Sequence, residues 1–232
     1  MPRLSKLLAE NAGKGTPLRA QVVGNATEIL LYDVIDPLCG ASAKSLGAAL
    51  AAAEGPVTLR INSPGGDVFE GRAMASLLRS HPAPVTAVVD GLAASAATTV
   101  ALAATRVSMV KGSFLMIHRS WSLALGNAED LLATASLLEK IDAEIARDYA
   151  TKSGQSLDQA LAWMKAETWF TADEAVAAHL ADALFDGKTV KGAFNLTAYD
   201  NVPRALLDDP ANDEPTPDQV WAANDRRLRL IG

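Results

Sequence analysis

Short β-branched runs, each closed by glycine or proline, alternate along this chain with stretches whose apolar residues recur three or four positions apart. The runs at 20–24 and 28–32 read as strands. Residues 42–53 carry alanine and leucine at helical spacing, and 56–62 is a further strand. It stops at Ser63-Pro64-Gly65-Gly66, a strong turn signal. Residues 67–79 then predict a helix with Val68, Met74, Leu77 and Leu78 on its apolar side. The apolar run at 83–90 is the next strand, 98–104 a buried helix, and 107–110 and 114–117 two short strands. Strands alternating with helices predict the α/β class, with repeated βα units and a mostly parallel sheet.

The stretch 127–150 has a longer period. Asn127 is a fitting N-cap, Glu129 and Asp130 follow in the first turn, and Leu131, Leu132, Ala135, Leu138, Ile141, Ile145 and Tyr149 recur at helical spacing. The expected helix is ~35 Å long at ~1.5 Å per residue. The pattern leaves two roles open: packing on its own domain, or projecting to pair with a second subunit. Helices at 157–166 and 172–180 flank Glu167-Thr168-Trp169-Phe170, and a hairpin is expected after Asp186-Gly187-Lys188. Residues 1–19 are polar and glycine-containing and read as a flexible arm. The compact domain is expected over 20–200. Residues 201–232 read as a linker and tail: 208–218 hold five acidic residues and three prolines, and 219–231 predict a short basic helix with Arg226, Arg227 and Arg229.

Composition narrows the classes. A chain of 232 residues, 49% hydrophobic and 21% charged, suits one soluble domain with a substantial core. A net charge of -6 argues against nucleic acid as a partner. Cys39 is the one cysteine, so no intrachain disulfide can form, which suits a reducing compartment. No apolar run reaches the ~18 residues of a membrane span. The first residues lack the apolar core of a signal peptide. The expectation is a cytoplasmic protein with no membrane partner. Three scattered histidines and one cysteine offer no metal-ligand spacing, so no metal and no cofactor are expected. Gly13-Lys14-Gly15-Thr16 fails the spacing of a phosphate-binding loop, so no ATPase site is expected.

The chemistry centres on Gly91-Leu92-Ala93-Ala94-Ser95-Ala96-Ala97. A strand, a small-residue turn and a helix start with a hydroxyl at the joint can present a nucleophile. The plain alternative is a close-packed alanine-rich helix. Serine needs a base, and three histidines are available: His81 in a polar turn, His179 beside alanines on a helix, and His118 at the end of an apolar strand. Strand ends in a parallel sheet gather active-site groups, which favours His118. Donors for a developing oxyanion could come from the Gly65-Gly66 turn and from the N–H of Ala96 in the first turn of a helix.

In this order the segments Ile61-Asn62-Ser63-Pro64-Gly65-Gly66, Gly91 to Ala96, Met116-Ile117-His118 and Trp169 to Ala175 resemble the Clp protease proteolytic subunit (ClpP) family, over roughly residues 20–186. The resemblance implies a ClpP/crotonase-type fold and a serine endopeptidase. Ser95 would be nucleophile, His118 general base, and Gly66 and Ala96 the oxyanion hole. Gly65, Asp67, Val68 and Arg119 would help hold an extended polypeptide. The family's third triad position falls on Glu167, a glutamate where an aspartate is usual, with Asp173 and Asp182 as weaker substitutes. The chain also resembles the ClpP-like head maturation proteases of bacteriophages and prophages, in its Glu-Thr-Trp-Phe-Thr-Ala wording, long helix and acidic tail. That implies scaffold and capsid precursors as substrates in the host cytoplasm or prohead, and a homo-oligomeric ring. The alternatives are a housekeeping subunit fed unfolded protein by an unfoldase ATPase, a crotonase-like acyl-coenzyme A enzyme, and a non-catalytic assembly protein.

Overall fold

The computed structural model of the protein describes residues 1–190 and 194–207. In chain order it has α1 (Arg3–Asn11), β1 (Thr16–Val23), β2 (Ala26–Tyr32), α2 (Ala43–Ala51), β3 (Val57–Ser63), α3 (Val68–Ser80), β4 (Val85–Ala94) and α4 (Ala96–Leu102). There follow β5 (Arg106–Val110), β6 (Phe114–Ile117), α5 (Ala128–Ser153), α6 (Leu157–Lys165), β7 (Thr168–Thr171), α7 (Ala172–Ala177) and β8 (Ala183–Phe185). Helix starts are written locally. Ser42 with Ser45, Asn127 with Asp130, and Thr171 with Glu174 form capping boxes on α2, α5 and α7, and the Asp67 carboxylate accepts the Glu70 N–H of α3 at 2.8 Å.

The sheet is mixed and mostly parallel. Its order is β1-β2-β3-β4-β5-β8, with β1 antiparallel to β2 and the remaining neighbours parallel. β4 serves two partners. Its first half pairs with β5, and Leu92, Ala93 and Ala94 pair with β6, which carries β7 antiparallel on its far side. The switch follows a bulge: Ile61 faces Val89 but Ser63 faces Ala93, so β4 spends two extra residues there. Bulges bend and re-aim a strand. Here the bend carries the end of β4 over β6, setting Ser95 near the end of β6. One sheet face, with Ile29, Leu31, Leu59, Ile61, Ala87 and Val89, is buried under Leu46, Leu50, Met74 and Leu78 of α2 and α3. The opposite face holds a polar cluster. The Tyr32 hydroxyl donates to Asp90 at 2.6 Å, and Arg60 pairs with the fully buried Asp90 carboxylate. Burial and Asp90 together push the Tyr32 hydroxyl up to about 12.

Two expectations change. Residues 1–19 are not an arm: α1 and the start of β1 belong to a compact unit running from Met1 to Val202. Asn11 is fully buried, donating to the Asn195 carbonyl at 2.8 Å and accepting its N–H at 2.6 Å. That partner lies 184 residues away, where no local pattern could register it. The hairpin expected after Asp186 does not form among the described residues, because β8 ends at Phe185. The segment 194–201 runs instead without regular structure through a turn closed by the Tyr199 N–H on the Leu196 carbonyl, with Phe194, Leu196, Ala198 and Tyr199 buried. A second unit begins at Pro203 and contains the short α8 (Arg204–Leu207). The linker at 208–218 and the basic helix at 219–231 lie outside the described residues. Among the described residues no helix is long and apolar enough to cross a membrane.

Candidate active site

β4 delivers Ser95 through a tight joint. The strand ends at Ala94, α4 begins at Ala96, and Ser95 between them adopts φ 57° and ψ -120°. L-residues avoid positive φ, so surrounding contacts must hold this conformation. The Ser95 N–H donates to the Met116 carbonyl at 2.9 Å. The Thr98 hydroxyl, one turn into α4, lies 2.7 Å from the same carbonyl and 2.8 Å from that of Ala93. The joint is therefore fastened to β6 two residues before His118. The result is a direct contact: Ser95 Oγ lies 2.7 Å from His118 Nε2. For the hydroxyl to donate there, the imidazole proton must sit on Nδ1.

The Gly65-Gly66 turn approaches from the other side. Ser63 Oγ donates to the Asp33 carbonyl at 2.6 Å and accepts the Gly65 N–H at 3.2 Å. Ile35 N–H donates to Gly65 at 2.9 Å, and Asp67 N–H donates to Ile35 at 2.7 Å. This pairing turns the Gly66 amide away from Ile35, since successive residues of an extended chain face opposite sides. A Cβ on Gly66 would stand 2.0 Å from the Ile35 oxygen, and one on Gly65 would stand 2.4 Å from the Ala94 oxygen and 2.8 Å from Ser95 Cβ. Only glycine lets the turn come this close. Ala96 opens α4, so its N–H has no acceptor within the helix. Gly66, Asp67, Val68, Ser95, Ala96 and His118 border one cavity of about 110 Å³.

His118 is almost enclosed. Trp121 lies edge-on to its ring at 4.4 Å between centroids and Tyr199 at 5.4 Å. Burial, with the Arg3 charge adding to it, lowers the imidazole to about 3. The ring is held neutral, ready to accept from Ser95 but poorly placed to become imidazolium.

Glu167 stands where the sheet should put an orienting acid. The pairing of β6 with β7 ends at Ile117↔Thr168, and His118 and Glu167 each stand one residue beyond it. Its carboxylate nevertheless faces elsewhere. Glu167 follows the end of α6 with φ 49°, and its Oε1 accepts the N–H groups of Asp200 at 2.8 Å and Asn201 at 2.7 Å. Among the described residues no hydrogen bond joins it to His118. The substitutes are also engaged or distant: Asp182 is tied to Lys152 and the Val107 N–H, and Asp173 sits exposed in the first turn of α7. Arg119 is exposed and does not border the cavity, whose wall there is built by Ser120, Trp121 and Ser122. His81 follows α3 and His179 follows α7, away from Ser95.

The sequence reading missed Tyr199, Trp121, and Leu4 and Leu7 of α1, which all stand around the dyad. Trp121 lies three residues past His118 and could have been suspected. The Tyr199 hydroxyl donates to Pro64 across 135 residues, which left no local signal. Among the described residues no group of three or more His, Cys, Asp or Glu is placed to hold a metal ion.

A family model described as Clp protease matches residues 27–188, more than half of the chain. The chain belongs to the Clp protease family. Its relatives include ATP-dependent Clp protease proteolytic subunit 3 of Rhodococcus jostii, 33% identical over 152 residues that make up 63% of this chain and 75% of the relative. The Clp protease proteolytic subunit of Bacteroides fragilis is 32% identical over 121 residues, 51% of this chain and 58% of the relative. The match to that Clp subunit thus spans less than two thirds of the relative's length. A solved structure, a point mutant of ClpP1 from Listeria monocytogenes, superposes with a TM-score of 0.60 over 69% of this chain and 91% of the other at 23% identity. That is a likeness of fold. It accords with the expected ClpP-type architecture of mostly parallel sheet and long helix.

Proposed function

We propose that this member of the Clp protease family is a serine endopeptidase. The observation that carries the reading is the 2.7 Å contact between Ser95 Oγ and His118 Nε2 at a strained strand-to-helix joint. Ser95 Oγ attacks the scissile carbonyl carbon while His118 Nε2 takes its proton. The carbonyl oxygen becomes an oxyanion, met by the N–H groups of Gly66 and Ala96. Collapse breaks the C–N bond, the imidazolium gives its proton to the leaving amine, and water then releases the acyl group from Ser95 by the same steps. Glu167 is the acid that would steady the imidazolium once its carboxylate turns to Nδ1. Gly65, Asp67 and Val68, at the turn leading into α3, would help hold an extended polypeptide beside the Gly66 amide. Arg119 would meet substrate outside the cavity.

We read the substrates as scaffold and capsid precursors of a phage head, cleaved in the host cytoplasm or prohead by a homo-oligomeric ring without cofactor. The support is the 167–172 wording, the long α5, and the chain flanking residues 27–188, whose Leu4 and Leu7 border the catalytic cavity and whose Tyr199 packs against His118. The relatives' names support the second reading, a proteolytic subunit served by an ATPase.

A fluorophosphonate probe followed by intact mass is the direct test. The wild type gains the adduct on Ser95 and cleaves peptides, and Ser95→Ala does neither while keeping its fold. Absence of an adduct, with coenzyme A binding instead, sinks the peptidase. Incubation with purified scaffold and capsid precursors then separates the two substrates: discrete ATP-independent cuts support head maturation, and degradation only with an unfoldase and ATP supports the second reading.

A further inference from the structure

Residues 194–201 run beside the catalytic dyad, with the Tyr199 ring against His118, and are fastened at both ends. Asn11 of α1 exchanges two hydrogen bonds with the Asn195 backbone, and Lys6 donates to the Thr197 carbonyl at 3.2 Å. Arg3 pairs with Asp200 at 2.7 Å. Tyr199 in the middle is buried, its hydroxyl on the Pro64 carbonyl at 2.6 Å and its ring against His118. Beyond it, the Asp200 and Asn201 amides occupy the Glu167 carboxylate.

We propose that 194–201, clasped by α1, is an autoinhibitory strap that keeps the Ser95–His118 site latent. Resting on the peptidase reading, the inference explains three features at once. The cavity, walled by Leu4, Leu7 and Trp121, is about 110 Å³, smaller than the ~300–1,000 Å³ of pockets that take drug-sized ligands. His118 is kept dry, so the imidazolium of the reaction is disfavoured. Glu167 is spent on two backbone N–H groups that belong to the strap. Releasing the strap together with α1, whose Leu4 and Leu7 wall the cavity, opens the cleft, wets the imidazole and frees the carboxylate. No bond of the strap is covalent, and its outermost anchor, Arg3–Asp200, is an exposed ion pair that competes with water. A substrate strand or a partner surface that displaces α1 would therefore activate the site.

The test uses the full chain and two readouts: the rate of fluorophosphonate addition to Ser95, and the NMR titration of His118. Arg3→Glu sets like charges against Asp200, and Asn11→Ala removes the inner clasp. Each is expected to speed labelling at least tenfold and to move the His118 midpoint upward. Adding Asp200→Arg to Arg3→Glu restores the pair and returns labelling towards the wild-type rate. Cooperative melting checks the fold, and Arg3→Glu, at an exposed position, serves if Asn11→Ala does not fold. Labelling unchanged or slower in folded variants overturns the strap. If Ser95 is labelled in no variant, the peptidase reading falls, and the titration of Asn11→Ala, which keeps the Arg3 charge beside His118, decides the strap: a raised midpoint upholds it and an unmoved one ends it.

Discussion

Ser95 shows how a single residue combines strain with reach. Holding an L-residue in its conformation costs about 1–3 kcal/mol. The Met116 carbonyl, taking the Ser95 N–H, and the close Gly65 backbone leave it no alternative. Glycine visits positive φ freely, so Ser95→Gly should relieve strain that Ser95→Ala retains. Both variants lose the hydroxyl, and both should lose peptide cleavage by several orders of magnitude. The glycine variant should be the more stable of the two by about 1 kcal/mol, read from thermal unfolding side by side. An alanine variant at least as stable as the glycine one would mean the joint is unstrained. Glu167 is the second non-glycine residue whose backbone is bent for a purpose. At the C-terminal end of α6, where glycine is usual, its positive φ aims the carboxylate at the Asp200 and Asn201 amides.

At the scale of elements, α5 divides in two. Ile141, Ile145, Ala146 and Tyr149 in its second half are buried, while Leu131, Leu132 and Leu137 in the first half stand exposed. The second half thus packs on its own domain, while the first half leaves its leucines uncovered by the rest of the chain's described residues. Exposed leucines two turns from the core fit the pairing of subunits through this half. Burying a leucine contributes roughly 1.5–3 kcal/mol, so Leu131→Glu with Leu132→Glu should shift the sedimentation profile to smaller species and leave each chain's melting nearly unchanged. A wild type that sediments as a monomer at high concentration defeats the pairing. What was readable from the sequence divides in a similar way. α2, α3, α5 and α7 carry their own start signals in Ser42, Asp67, Asn127 and Thr171, and β3 ends at its Pro-Gly turn, so local patterning located them. The Ser95 joint and His118 were legible for the same reason. α1, β8 and the strap were not. Leu7 gains its burial, and Asn11 its partner, only after the two ends of the domain meet. The occupation of Glu167 likewise depends on amides 33 and 34 residues onward.

For the whole molecule, the dry imidazole ties stability to acidity. In the folded protein His118 stays neutral down to about 3, against an ordinary value near ~6.5 in the unfolded chain. Between those values the unfolded chain holds a proton on His118 that the folded chain does not. Acid therefore draws the equilibrium towards unfolding: the contribution of His118 is complete above ~6.5 and is lost as pH falls towards 3. The limiting slope is about 1.4 kcal/mol per pH unit. From ~6.5 down to ~5, above the ordinary carboxylate range, this group should dominate. The strap sharpens the expectation, since lifting it wets the ring without unfolding the core. Protonation then proceeds through the opened form, and the Asp200 and Asn201 amides should lose hydrogen-exchange protection at a higher pH than the strands do. Melting curves for the wild type and His118→Gln supply the check. The wild type should lose melting temperature steadily through this window and the variant should stay nearly flat. Parallel slopes would mean that His118 is already wet in the resting protein and that no strap shields it.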